Sequence, residues 1–301
     1  MSAGHLEPTL DAPQAKTWRR AAADALEFIK FSHTVFALPF ALVAMLAAAQ
    51  GLPGGAVIAL ILVCMVAART AAMAFNRWVD WDFDRQNPRT AQRSALVTRN
   101  TALGLVIVPS LVFVAATWFL NPLCFALSPV ALALIFGYSL CKRFTAYTHA
   151  VLGLALAAAP MGAWAAVTGS LLDPAPWALA AAVWCWVFGF DLIYALMDTD
   201  FDRRVGLHSF PARYGQRATL LLAGTLHTVA LGFLAWFGLL IGAGWAYWIA
   251  VTVAAVLLVA EHLFTGFAKG DVRLINLVFF YMNALVSLAL LLGVLGDLWM
   301  P

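Results

Sequence analysis

The chain has 301 residues, of which 63% are hydrophobic and only 11% are charged, and its mean hydropathy is +0.87. This composition excludes an ordinary soluble domain and predicts one all-α, polytopic membrane bundle. The net charge of +3 gives little reason to expect nucleic acid as a partner. The four cysteines have no pair spacing, so they predict neither a disulfide framework nor a zinc site.

The chain begins with a polar stretch, residues 1–17, followed by a short amphipathic segment at 18–29. This pattern predicts a helix that lies at the membrane interface, or alternatively a cytoplasmic extension of the first span. We therefore expect two parts. The first is a tail with an interfacial helix at residues 1–29, and the second is a membrane domain at residues 30–301.

Nine later segments are apolar for long enough to cross a bilayer core of about 30 Å. They lie at residues 30–50, 55–79, 101–120, 122–141, 149–168, 176–198, 218–239, 243–263 and 274–297. Lysines and arginines are concentrated in every second link and near the N-terminus, which assigns those parts to the cytoplasm and the C-terminus to the outside. We expect a protein of the bacterial-type inner membrane.

Two acidic stretches lie at the ends of predicted spans. They hold seven of the 15 acidic residues in the chain: Asp80, Asp82, Asp84, Asp191, Asp198, Asp200 and Asp202. Residues three or four apart share one side of a helix. One such stripe is Asn76, Asp80 and Asp84, and the other is Asp191, Tyr194, Asp198 and Asp202. The remaining two aspartates, Asp82 and Asp200, point off these stripes.

Both stripes end at the predicted cytoplasmic face, on the second and sixth spans. Because four spans separate the stripes, we expect two four-helix pseudo-repeats followed by one more helix. Oxygen ligands without histidine or cysteine suit Mg²⁺, which commonly bridges protein carboxylates to substrate phosphates. Cations suited to such phosphates lie nearby, namely Arg69, Arg77, Lys142, Arg143 and, across the first span, Lys30.

The spacings N-x-x-x-D-x-x-x-D from Asn76 and D-x-x-Y-x-x-x-D-x-x-x-D from Asp191 resemble two signatures of a known family. They are the aspartate-rich motifs of the UbiA superfamily of intramembrane aromatic prenyltransferases. The segment from Tyr138 to Thr145 is similar to that family's Y-x-x-x-K-R-x-T loop, whose basic residues contact diphosphate. The resemblance covers nearly the whole chain. It implies transfer of a polyprenyl group from polyprenyl diphosphate to a hydroxyaromatic acid, with Mg²⁺ as cofactor, during quinone biosynthesis.

The resemblance assigns roles to matching positions. The metal ligands would be Asn76, Asp80, Asp84, Asp198 and Asp202. Asp191 would orient or deprotonate the acceptor, and Tyr194 would line the same wall. The diphosphate would be bound by Arg69, Arg77, Lys142 and Arg143. The acceptor would contact Lys30, His33 and Tyr138.

The identity of the acceptor stays open at this point. The better-known 4-hydroxybenzoate enzymes carry a basic residue followed closely by Lys-Pro, whereas this first span reads Lys30-Phe-Ser-His33 before Pro39. The chain resembles the branch labelled 4-hydroxybenzoate polyprenyltransferase, some members of which are proposed to prenylate 1,4-dihydroxy-6-naphthoate for menaquinone. Haem farnesylation and lipid-phosphate glycosyl transfer are further UbiA-type alternatives. A secondary transporter is the rival from another class, disfavoured because the carboxylates cluster at one face.

Other polar residues in the spans have simpler interpretations. Arg69 is either a functional cation or one half of a structural ion pair, for example with Asp80. Three histidines in or near the spans are expected to serve packing: His149, His227 and His262. Glu261, at the end of the eighth span, is expected to reach the membrane interface.

Overall fold

The computed structural model describes residues 18–29, 37–86, 92, 96–267 and 272–299. Over these residues all regular secondary structure is helical. The predicted acceptor contacts Lys30 and His33 lie outside the described residues.

Twelve α-helices follow one another along the described chain, with one short 3₁₀ turn after the eighth. In order they are α1 Trp18–Phe28, α2 Leu38–Ala49, α3 Gly55–Val79, α4 Trp81–Gln86, α5 Arg99–Leu120, α6 Pro122–Cys141, α7 Thr148–Thr168, α8 Pro174–Ala195, α9 Thr199–Val205, α10 Phe210–Leu240, α11 Trp245–Phe267 and α12 Val272–Trp299.

Eight of these helices, α3, α5 to α8 and α10 to α12, are long and apolar enough to cross a membrane. The helix α2 is a further, shorter apolar helix of 12 residues, which covers about 18 Å at the rise of an α-helix. The prediction of an all-helical bundle of about nine membrane helices is confirmed. The helix α10 begins earlier than predicted because it includes one turn before a kink at Gly215, where φ is 82°.

Local sequence signals explain the limits of the helices that carry the second acidic motif. Pro174 opens α8, and the side chain of Asp173 accepts a hydrogen bond from the backbone N–H of Ala175 at 2.7 Å. An acidic N-cap followed by proline is a common helix start. The helix α9 ends at Val205, and the next residue, Gly206, has a φ of 72°, the left-handed conformation that terminates many helices.

The helix α8 is the most buried of the eight candidate spans in the described chain. It packs against α7 and α10 over much of its length, and it also contacts α2 and α12. The packing of α3 on α5 has its counterpart in the packing of α8 on α10, and α2 contacts α7, the helix at the corresponding position. These pairings agree with two four-helix pseudo-repeats followed by α12.

The helix α1 is docked onto the bundle by its C-terminal end. Phe28 and Ile29 are buried, with 1% and 4% of their surfaces exposed, and they share an apolar cluster with Ala74 of α3 and Ala102 of α5. Trp18, at the other end of α1, is exposed. The predicted position of α1 at the membrane interface stays a prediction.

The expectation for Glu261 is wrong. Its side chain is completely buried, and its Oε1 accepts a hydrogen bond from Nδ2 of Asn283 at 2.7 Å. Glu261 lies on α11 and Asn283 on α12, two helices that pack closely. A polar side chain between two packed helices is stabilised by a hydrogen-bond partner on the neighbouring helix. Glu261 therefore does not extend to the membrane surface.

Candidate active site

The first acidic motif lies where α3 meets α4. The helix α3 ends at Val79, and Asp80 has φ −90° and ψ 14°, so the chain bends there. The backbone N–H of Asp80 still donates to the carbonyl oxygen of Asn76 at 3.0 Å, and that of Asp84 donates to the carbonyl oxygen of Asp80 at 2.7 Å. Because this helical bonding continues through the bend, Asn76, Asp80 and Asp84 stay on one side.

The second acidic motif follows α8 through a tighter turn. The helix α8 ends at Ala195, a 3₁₀ turn covers Leu196–Asp198, and α9 begins at Thr199. The prediction assumed a regular helix here, and the turn was not foreseen. Asp202 on α9 is buried, with 1% of its surface exposed.

The exposure of the other aspartates follows the predicted stripes. Asp82 and Asp200, which were predicted to point off the stripes, are exposed to solvent. Asp80, Asp84 and Asp198 are half-buried. Each motif therefore has one aspartate that faces away from the others and serves as a natural control.

The two motifs converge on Lys142, the first residue after α6. Burial lowers the pKa of this lysine, but the negative charges of Asp202, Asp198, Asp191 and Asp80 outweigh it and raise the pKa above its usual value. One ammonium group thus lies within the field of carboxylates from both motifs. The distant acidic helix ends are at the same end of the bundle.

The loop after α6 is bound to both halves of the site. The backbone N–H of His208, just after α9, donates to the carbonyl oxygen of Lys142 at 2.8 Å. On the other side, Nη2 of Arg143 donates to the carbonyl oxygen of Val79 at 2.9 Å and lies 3.5 Å from Oδ1 of Asp80. The basic loop therefore bridges the ends of α3 and α9.

The environment of Asp80 disfavours its negative charge. Burial raises the pKa of Asp80 to about 6, and the neighbouring Asp84 adds to the rise, while Lys142 and Arg143 oppose it. A divalent cation at this position would reverse the balance by favouring the carboxylate.

The donor set at this end of the bundle fits a hard cation such as Mg²⁺. It consists of oxygens, and Oδ2 of Asp202 is buried without a hydrogen-bond partner among the described residues. No three His, Cys, Asp or Glu side chains in the described ranges form a ready-made metal cage. Mg²⁺ does not require such a cage, because it usually takes one or two carboxylates together with water and substrate phosphates.

Arg77 is placed differently from the other cations predicted to bind diphosphate. Its side chain is buried, and Nε donates a hydrogen bond to the carbonyl oxygen of Phe28 in α1. Its Nη1 lies 3.5 Å from Oδ2 of Asp84. Arg77 therefore ties α1 to the first motif, and its contact with diphosphate stays a prediction.

A cavity of about 690 Å³ lies between α3, α5, α6, α7 and α8. Its walls are mostly apolar, and many of the lining residues of α7 and α8 are alanines, such as Ala155 and Ala180. Small side chains on packed helices leave the space open. A volume of this size accommodates a substantial organic ligand.

The polar part of the cavity wall contains Arg69 and Tyr138. Nε of Arg69 is buried without a hydrogen-bond partner among the described residues, and no ion pair joins Arg69 to Asp80 within that set. Tyr138 lies within electrostatic range of Arg69, Asp80 and Asp191. The apolar cavity therefore adjoins the group of carboxylates.

Sequence reasoning missed the partner of Asp191. The residue lies on α8, and its Oδ2 is 2.6 Å from Nδ1 of His149 on α7. His149 was expected only to pack, and the available signal was an imidazole close to the basic loop at the start of a span. Tyr194, one turn beyond Asp191, is half-buried and packs against the main apolar core.

These observations define an integral membrane protein whose site combines converging aspartates, a basic loop and an apolar cavity. The profile of the UbiA prenyltransferase family matches residues 37–284. The chain belongs to the UbiA prenyltransferase family, and it is a prenyltransferase. This membership removes the transporter alternative.

Several relatives are similar over most of their length. The chain is 30% identical to a 4-hydroxybenzoate solanesyltransferase of Synechocystis sp., over 85% of this chain and 87% of the relative. It is 34% identical to a 4-hydroxybenzoate octaprenyltransferase of Alkalilimnicola ehrlichii, over 70% and 72%. The apo structure of a UbiA homolog from Aeropyrum pernix K1 superposes with a TM-score of 0.80 at 31% identity, covering 88% of this chain and 98% of that one.

A more distant structure shares the fold. It is a UbiA homolog from Archaeoglobus fulgidus bound to DMAPP and Mg²⁺, with a TM-score of 0.60 and 17% identity, covering 89% of this chain and 99% of that one. These relatives agree with the fold and reaction class implied by the two aspartate motifs.

Proposed function

We propose that this protein transfers a polyprenyl group from polyprenyl diphosphate to 4-hydroxybenzoate in a Mg²⁺-dependent reaction of quinone biosynthesis. The observation that carries the proposal is the convergence of Asp80, Asp198 and Asp202 around Lys142, beside an apolar cavity. The relatives named for 4-hydroxybenzoate transfer support this acceptor. A fold relative bound to Mg²⁺ and a prenyl diphosphate supports the cofactor.

The diphosphate would lie between the two acidic motifs and the basic loop. Mg²⁺, held by Asn76, Asp80, Asp84, Asp198 and Asp202, would neutralise the leaving group. Lys142 and Arg143 would donate hydrogen bonds to diphosphate oxygens as negative charge develops on them. The side chain of Arg143 is 40% exposed, so it has room to turn from Asp80 toward a ligand.

The prenyl chain would occupy the apolar cavity. The bond between the first prenyl carbon and the diphosphate oxygen breaks, and the electron pair leaves with diphosphate. The allylic cation that results must be kept from water until the acceptor attacks it. The mostly apolar walls would disfavour water in that region, and the rest of a long chain could extend into lipid.

The acceptor would bind between Asp191 and the cavity, near Tyr138 and Arg69. Asp191 takes the phenolic proton, and the ring carbon next to the phenolic oxygen forms the new carbon–carbon bond. Loss of that carbon's hydrogen as a proton to solvent restores the aromatic ring as a phenolate, which takes the phenolic proton back from Asp191 and regenerates the carboxylate. Arg69, whose Nε has no partner in the described chain, would face the acceptor carboxylate or the diphosphate.

The proposed location is the bacterial inner membrane, with the N-terminus in the cytoplasm and the C-terminus outside. The site would then open near the cytoplasmic face, where the polar groups of both substrates can remain in contact with water. Cysteine labelling at the two termini in intact cells would test this orientation.

The activity is tested with purified protein in detergent, geranyl diphosphate as the prenyl donor, and 4-hydroxybenzoate or 1,4-dihydroxy-6-naphthoate as the acceptor. We expect one prenylated product and one diphosphate per turnover with 4-hydroxybenzoate, and no product after chelation of Mg²⁺. Preference for the naphthoate would overturn the acceptor assignment. Failure with both acceptors would overturn the proposed function.

A further inference from the structure

A histidine behind Asp191 has no role in the reaction as described so far. His149 is the second residue of α7 and has 1% of its surface exposed. Its Nδ1 lies 2.6 Å from Oδ2 of Asp191. Because an ionised carboxylate only accepts hydrogen bonds, Nδ1 carries the hydrogen and donates it. The Asp191 side chain is 20% exposed, so part of the carboxylate stays accessible.

In the described chain, the second ring nitrogen of His149 has no hydrogen-bond partner, so the imidazole forms hydrogen bonds through Nδ1 alone. Nε2 of His149 is buried and has no hydrogen-bond partner among the described residues. The only hydrogen bond of the imidazole in that part of the chain is therefore directed at Asp191. A buried donor with a single carboxylate partner restricts the orientation of that carboxylate, as the outer-shell partners of functional groups commonly do.

Close packing of α7 on α8 holds the two side chains at this distance. Gly153 lies one turn after His149, and a Cβ atom at that position would be 2.8 Å from the carbonyl oxygen and from Cδ1 of Trp184. The absence of a side chain lets the helices approach each other next to the pair. The close packing of the α7 and α8 backbones thus keeps the His149 imidazole next to the Asp191 carboxylate.

We propose that His149 is a positioning residue for Asp191, holding the carboxylate in the orientation in which it accepts the phenolic proton of the acceptor. The inference rests on the proposed function. In this step the phenolic O–H bond breaks and the proton moves to the Asp191 carboxylate, while His149 neither gains nor loses a proton.

A second histidine pair, which also joins two helices, provides a comparison within the same protein. Nε2 of His262 lies 3.1 Å from Nδ1 of His227, between α10 and α11. This pair joins two helices and has no contact with the acidic motifs within the described chain, so the half-buried His262 serves as the control for loss of an imidazole between two helices.

The experiment measures steady-state kinetics of purified His149→Asn, His149→Gln, His149→Leu and His262→Leu with geranyl diphosphate. Asn places its amide near the position of Nδ1, whereas the longer Gln side chain places it near Nε2. We expect kcat with 4-hydroxybenzoate to fall about 10- to 100-fold in the Leu and Gln variants of His149. His149→Asn should recover most of it, with the KM for geranyl diphosphate unchanged throughout.

A second acceptor separates a positioning role from a structural one. With 3-fluoro-4-hydroxybenzoate, whose phenol loses its proton more readily, the ratio of wild-type to His149→Gln activity should shrink. A general packing defect would leave that ratio unchanged. Equal activity of the Asn and Gln variants, or a loss in His262→Leu as large as in His149→Gln, would overturn the inference. Inactivity of the wild-type protein would instead overturn the proposed function.

Discussion

The two acidic motifs occupy corresponding places in the pseudo-repeat, yet their aspartates are held differently. In the first motif, Asp80 and Asp84 each lie 3.5 Å from an arginine nitrogen, of Arg143 and Arg77 respectively. In the second, Asp202 is buried, and one of its oxygens has no hydrogen-bond partner in the described chain. Lys142 offsets part of the negative charge of both motifs, but the oxygen of Asp202 that lacks a partner there leaves the second motif more dependent on a bound cation.

The largest effect is expected from removing one aspartate of each motif. Asp80→Ala and Asp198→Ala should each lower kcat by about 10³-fold or more, because both motifs must neutralise the same leaving group. The measurement is product formation by protein that still inserts into membranes. The matched controls are the exposed neighbours Asp82→Ala and Asp200→Ala, which should stay within about threefold of wild type. Full activity in either stripe variant would contradict the shared metal site.

The difference between the motifs is tested more directly by metal binding. Mg²⁺ with geranyl diphosphate should stabilise the wild-type protein against heat, by about 2.7 kcal/mol at 100 times the dissociation constant. Asp202→Asn should abolish this shift, because it removes a buried negative charge whose Oδ2 has no hydrogen-bond partner in the described chain. Asp84→Asn should retain part of the shift.

Thermal melting with and without the ligands measures both variants independently of turnover. Equal loss in Asp202→Asn and Asp84→Asn would show that the two motifs depend on the metal to the same extent. The proposed asymmetry would then be wrong, although the metal site would stand.

The arginines of the first motif should separate into one structural and one functional residue. Arg77→Met removes a buried donor to the Phe28 carbonyl and leaves Asp84 without that cation, so we expect a loss of about 2–3 kcal/mol in unfolding free energy. Arg143→Gln should cost less than about 1 kcal/mol, because that side chain is 40% exposed.

The effects of these two variants on the KM for geranyl diphosphate should have the opposite order to their effects on stability. Arg143→Gln should raise the KM for geranyl diphosphate about tenfold, while folded Arg77→Met keeps a KM near that of wild type. Limited proteolysis at Arg19 and Arg20 should be faster in Arg77→Met, because α1 is held by that hydrogen bond. A raised KM for geranyl diphosphate in Arg77→Met would instead support the predicted contact of Arg77 with diphosphate.

The sequence predicted the spans and the stripes because both follow from simple geometry. A bilayer sets the length of an apolar segment, and residues three or four apart share one side of a helix. The exposed positions of Asp82 and Asp200 agree with that geometry. Even the 3₁₀ turn at Leu196–Asp198, which was not predicted, leaves Asp202 facing inward.

The parts that were missed depend on tertiary contacts between distant segments. Nothing local to Arg77 indicates that its guanidinium binds the end of α1, and nothing local to His149 indicates that α8 presents a carboxylate to it. Glu261 was expected at the membrane interface because the sequence shows its position along a span. The sequence does not show that Asn283, on another helix, is its hydrogen-bond partner. Periodicity predicts which side of a helix is polar, but not which group it meets.

The smallest effect is expected at the opposite end of the bundle, where a carboxylate serves structure alone. Asp297 of α12 accepts hydrogen bonds from the backbone N–H groups of Gly244 and Ala246 at 2.7 and 3.0 Å, at the start of α11. Asp297→Ala should lower the free energy of unfolding by about 1–2 kcal/mol, the usual loss of an N-cap, and leave kcat unchanged. Chemical denaturation in detergent measures the first quantity, and the prenylation assay measures the second. A lower kcat in Asp297→Ala would mean that the opposite end of the bundle also shapes the active site. Distance from the acidic motifs would then fail to distinguish structural carboxylates from functional ones.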